Sequence, residues 1–195
     1  MTGVAEKYSS FVVPIPRVKD PAALQIEGEE TTAYEFYFLQ WGFHGVPPVP
    51  STTQLDLFMP STLDSNATTP SASNPQTSTI LFTPLQEYKQ RASFATPYLV
   101  LTHYTDFART HGIVLLRGEI TPSTVATGAT GADERYLLNQ ADAQLLSMGV
   151  QKFYLWGEGD GKAAEREGER LLKTFHEQPE EFKWEQLLKH ASWTI

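Results

Sequence analysis

Residues 157–162, Gly-Glu-Gly-Asp-Gly-Lys, stand between an apolar stretch and a helical stripe. A glycine-rich turn in that setting can cradle a phosphate on helix N–H groups. The spacing departs from both standard cradles. Ala163 stands where a phosphate loop needs Ser or Thr after its Lys, and Lys162 stands where the dinucleotide fingerprint needs Gly. Glu158 and Asp160 would also repel an anion. Histidines 44, 103, 111, 176 and 190 are scattered, with no pair at metal-ligand spacing on one helix face and no Cys to join them. No Gly-x-Ser-x-Gly elbow seats a serine nucleophile. The carboxylates of 165–169 and 177–181 lie among Arg and Lys, as on solvated helix faces. The residue types therefore predict no catalytic constellation, no cofactor and no metal.

Recognition is the better reading. Arg117 and Glu119 stand two apart in a β-prone run, so they point to the same side of a strand. Near Trp41 or His103 they would form a recognition pair; at a solvent-exposed strand end they would simply pair with neighbours. In 31–43, Tyr34, Phe36 and Phe38 face one way while Tyr37, Leu39 and Trp41 face the other. Aromatic residues on both faces need cover on both, which points to a binding surface.

The elements that must position these residues fit one domain. The chain has 195 residues, 41% hydrophobic, and a formal charge of 15 − 23 = −8. A chain of that length buries roughly 70% of its unfolded surface and needs no disulfide or metal to hold a core. The acidic balance disfavours nucleic acid, whose binding needs clustered Lys and Arg, and no apolar run approaches a membrane span. The first ten residues lack the pattern of a secretory signal or an Arg-rich presequence, so the chain reads as cytosolic or as processed.

Strands are expected at 11–15 (an edge strand closed by Pro14 and Pro16), 31–43, 55–59, 78–83, 98–104, 112–120 and 151–156. Helices are expected from Pro84 to about Ser93, and over stripes containing Leu137 to Met148 (stopped by Gly149), Ala164 to Phe175, and Trp184 to Ala191. Strands come first and helices later, with hairpin-like connections, which predicts an α+β single domain with an antiparallel sheet backed by helices. Residues 61–79 hold ten Ser or Thr among nineteen and read as a disordered insertion; 45–52 and 121–131 read as flexible loops. The Asn66-Ala-Thr68 sequon within the insertion reads as a chance match in a Thr-rich stretch.

Several strings occur together in order: Phe11-Val-Val-Pro-Ile-Pro-Arg17, Tyr34-Glu-Phe-Tyr-Phe-Leu-Gln-Trp41, Leu101-Thr-His-Tyr104, Gly112-Ile-Val-Leu-Leu-Arg-Gly-Glu119, Phe153-Tyr154 and Pro179-Glu-Glu-Phe182. As a set, spanning about 11–190, they resemble the mitochondrial ATP synthase assembly chaperones that bind the catalytic β subunit of the soluble head. The resemblance implies a non-enzymatic, cofactor-free monomer of the mitochondrial matrix whose presequence is absent from this chain. It would shield the unassembled β subunit from aggregation until the α subunit replaces it. Trp41, Phe43, His103, Tyr104, Arg117 and Glu119 are the candidate partner contacts. The alternatives are a peptide- or protein-binding module of another pathway and a small-molecule enzyme using the 157–162 turn.

Overall fold

The alternation in the aromatic run settles into the second strand of an antiparallel meander. The structure, a computed structural model, describes residues 2–17, 33–45, 77–123, 135–155 and 163–191. A short helix α1 (Thr2–Lys7) leads into β1 (Ser10–Arg17), followed by β2 (Ala33–Phe43) and β3 (Ser78–Pro84). Helix α2 (Leu85–Arg91) with a 3-10 turn (Ala92–Phe94), strand β4 (Leu99–Tyr104), helix α3 (Ala108–His111) and strand β5 (Leu115–Ile120) come next. Helices α4 (Gln140–Tyr154), α5 (Ala163–Glu177) and α6 (Trp184–Ala191) complete the chain, with a 3-10 turn (Pro179–Glu181) between the last two. Sheet order equals chain order, β1-β2-β3-β4-β5, and every neighbouring pair is antiparallel. The α+β, antiparallel expectation holds.

Opposed residues in an antiparallel sheet share a face, so the register sorts every side chain. One row runs Phe11, Leu39, Phe82, Leu99 across four strands, all fully buried beneath the helices. Phe11 meets Phe153 of α4 at 4.8 Å and Phe175 of α5 at 5.2 Å between ring centroids. The opposite face is capped in part by α2, whose Tyr88 ring lies 4.3 Å from that of Phe38. Both faces of β2 are thus engaged, as its aromatic composition requires.

Two polar junctions tie the helices to the sheet. Asn139 caps α4 by accepting from the Asp142 N–H at 2.7 Å, and its amide donates to the Asp142 carboxylate at 2.9 Å. Arg17, at the end of β1, then bridges Asp142 at 2.5 Å and Glu35 of β2. At the other end, Glu177 of α5 accepts from the Tyr8 hydroxyl at 2.5 Å and from the Lys7 ammonium at 2.9 Å. Those two donors hold its carboxyl below the usual range. His176 bonds the Ser10 carbonyl at 2.6 Å beside them.

The expectation of a strand at 151–156 is overturned: residues 151–154 are the last turn of α4. Gly149 does not stop that helix. It lies where α4 crosses β1, and a Cβ there would sit 2.8 Å from Val13 Cγ1, so the glycine serves close approach and the stripe continues through Val150, Phe153 and Tyr154. Gly149→Val should therefore overpack this crossing, costing about 1–3 kcal/mol, read as a lower midpoint of thermal unfolding. An unchanged midpoint would show the crossing to be slack. Pro84 closes β3 and precedes α2 rather than opening it. Residues 77–79, assigned by composition to the Ser/Thr-rich insertion, lead into and begin β3. The expected strand at 55–59, loop 45–52 beyond Gly45, the remainder of the insertion, most of the 121–131 loop and the 157–162 turn lie outside the described residues.

Candidate partner-binding surface

Period-two geometry divides the six candidate contacts between the two faces of the sheet. Phe43, Ser78, His103 and Leu116 lie opposite one another in a row on the helix side; the next row is Trp41, Ile80, Leu101, Gly118. The Trp41 ring stacks on His103 at 5.2 Å and on Phe43 at 6.0 Å, with Tyr154 of α4 closing the group at 5.4 Å. Tyr104, Arg117 and Glu119 belong to the other face, opposite Leu115, Thr102 and Val100. Of the two arrangements open for Arg117 and Glu119, the structure shows the exposed strand position and not one beside Trp41 or His103. His103 pairs with Leu116, so the next residue along β5, Arg117, points away from it. Arg117 and Glu119 pair with each other, both side chains more than half exposed, where such a bridge is worth little to stability.

His103 is only 8% exposed, and its Nδ1 lies 3.5 Å from the Ser78 hydroxyl. Burial lowers its pKa from the ordinary histidine value, opposed in part by Ser78. The folded chain thus favours neutral imidazole. Its contribution is complete above the unfolded value, about 6.5, and is lost as pH falls through the lower folded value. The His103 ring should titrate below 6.5 by NMR, and His103→Gln should soften the loss of thermal stability between pH 7.5 and 5.5. A midpoint at or above 6.5 would contradict the buried placement.

The surface that residue-type reasoning missed is the aliphatic run leading into β5, residues 113–116. Ile113, Val114, Leu115 and Leu116 are 41–51% exposed, and Phe107 of the preceding turn is 47% exposed. The signal was present: four aliphatic residues without alternation normally mark a strand covered on both faces. Here they occupy a sheet edge and the turn before it, where little covers them. Leu116 continues the Phe43–His103 row, so the exposed run is continuous with the aromatic group.

Elsewhere, an open groove of about 820 Å³ is lined by Tyr34, Glu35, Phe36, Leu85, Glu87 and Tyr98 among others. Its carboxylates are engaged: Glu35 by Arg17, Glu87 by the Thr96 N–H and Arg91. Among the described residues no group of three or more His, Asp or Glu is arranged to hold a metal ion, and no helix is long and apolar enough to cross a membrane.

The profile of the ATP11 protein family matches residues 1–188, nearly the whole chain. The chain belongs to the ATP11 family. The protein called "Protein atp11, mitochondrial" of Schizosaccharomyces pombe is 26% identical over 166 residues, which is 85% of this chain and 39% of that protein. This ATP11-family chain therefore spans about two fifths of the length of that curated relative. All five strands, the aromatic group and the exposed run fall inside the matched residues.

Proposed function

We propose that this ATP11-family chain is an assembly chaperone of the mitochondrial F-type ATP synthase. It binds the unassembled catalytic β subunit of the head in the matrix and prevents its aggregation until the α subunit takes its place. It acts by binding alone, as a monomer without cofactor. The observation that carries this reading is the exposed aliphatic run, residues 113–116, continuous with the Phe43–His103–Leu116 row. An unpartnered subunit exposes an apolar interface that self-associates, and an apolar patch with a polar rim is the surface that shields it.

The division of the six contacts between two faces becomes useful here. Arg117 and Glu119 on β5, and His103 and Tyr104 on the adjacent β4, present both faces to a client seated on the β5 edge, while Trp41 and Phe43 lie on β2, with β3 and β4 between. The sequence strings that resemble known β-subunit chaperones include all of these residues except Phe43, and family membership agrees with them. The reading is tested by light scattering of isolated β subunit with equimolar chain. Suppressed scattering is the expected outcome, and scattering as fast as without the chain would refute the proposal.

A further inference from the structure

The two edges of the sheet are built differently. The Trp41 N–H donates to the Ser9 carbonyl at 2.8 Å, which makes Ser10–Gln40 a pair without mutual hydrogen bonds. By alternation, Phe11, Val13 and Ile15 bond β2 while Val12, Pro14 and Pro16 turn their backbones outward. Two of those three outward positions lack an N–H, a common device against edge-to-edge pairing. At the other edge the Thr121 N–H donates to the Tyr98 carbonyl at 3.0 Å, so Glu119, Arg117 and Leu115 bond β4. Leu116, Gly118 and Ile120 turn their N–H and C=O groups outward. None is proline, and among the described residues no strand lies beside them.

We propose that β5 binds by strand addition: an extended segment of the client β subunit becomes the sixth strand of the sheet, hydrogen-bonded to the backbones of Leu116, Gly118 and Ile120. This rests on the chaperone reading above and names its mode. A row of unpaired backbone groups is satisfied by another strand. The chemistry of that strand follows from the side chains beside it: apolar residues against the 113–116 run, a carboxylate opposite Arg117 and a cation opposite Glu119.

A second copy of this chain fits poorly. A two-fold axis at Gly118 would match Arg117 with the other copy's Glu119, but the backbone beyond that pair is blocked. That axis would set Leu115 beside Thr121, whose carbonyl already accepts from the Leu137 N–H at 3.0 Å. Residues 135–137, bridged at Pro122–Tyr136, stand where the other copy's 113–115 would lie. Moving the axis to Arg117 opposes like charges, and moving it to Leu116 sets Arg117 and Glu119 against Leu115 and Ile113.

The test is residue-resolved amide exchange of the full chain, alone and with purified isolated β subunit. The amides of Leu116, Gly118 and Ile120 should slow at least tenfold on capture. Leu116→Pro removes one outward N–H without breaking a β4 bond; it should weaken capture at least tenfold, while Val12→Pro on β1 leaves capture unchanged. If Leu116→Pro unfolds, the exchange result on the unaltered chain decides. Capture with all three amides exchanging as in the free chain would overturn strand addition and leave the chaperone reading standing. Absence of capture would overturn both. The same protection appearing with chain concentration, without β, would assign the edge to a second copy and overturn the proposal.

Discussion

Phe11→Ala should lower the thermal midpoint by about 6–20 °C, the largest stability loss expected of any single truncation in the sheet. The residue is fully buried and joins α4, α5 and the segment before α6 to the sheet through Phe153, Phe175 and Phe182, whose ring centroids lie 4.8, 5.2 and 6.4 Å away. Truncating a Phe in such a site costs about 3–5 kcal/mol, because the surrounding rings cannot collapse into the space. For a chain of this size each kcal/mol moves the midpoint by about 2–4 °C. Phe94→Ala is the natural control: that ring is 87% exposed, and its loss should leave the midpoint unchanged. Calorimetry of the two variants decides the matter. A fall of less than about 2 °C for Phe11→Ala would mean that sheet and helices are not one cooperative core.

The second large effect falls on binding. Replacing Ile113 and Val114 together by Ser removes two aliphatic side chains that are half exposed in the free chain and, on the proposed reading, covered by the β subunit. Losing that burial costs about 2 kcal/mol, roughly a thirtyfold weaker complex. Both residues precede β5 and form none of its rungs, so the melt should hold within a few degrees. Trp41→Ala discriminates less well. Its ring is half-buried in a stack with Phe43 and His103, so any loss of capture would come mixed with loss of stability. Equilibrium titration of labelled β subunit with the double variant separates the cases. Affinity equal to that of the unaltered chain would place the client elsewhere.

Most of the sheet was legible from residue alternation. The opposed facing of Phe36 and Phe38 against Tyr37, Leu39 and Trp41 is the facing observed, because a strand of eleven residues leaves period two no ambiguity. The strand expected from 112 begins only at Leu115, because Gly112 takes the left-handed conformation, φ 65°, that ends α3. The failures have a common cause, the blindness of local pattern to partners distant in sequence. Gly149 read as a helix stop because its reason for being glycine, the Val13 side chain, lies in β1. Whether Arg117 stood beside His103 or at an exposed strand end stayed open because same-strand spacing cannot supply cross-strand register. The six-residue helix α1 was missed, being held by contacts such as Tyr8 to Glu177 rather than by its own periodicity. The stretch 112–120 was expected as a strand, but nothing in its residues says that it is the edge strand; only the sheet order does.

The central claim is selective recognition of the unassembled β subunit through the β5 end of the sheet. The measurement that tests it most directly is parallel capture of purified isolated β and isolated α subunits by this chain, with the Ile113 and Val114 double Ser variant alongside. Retention of β and not of α is expected, with retention of β lost in the variant. Retention of neither subunit, of α in place of β, or of β equally by the variant and the unaltered chain would contradict it.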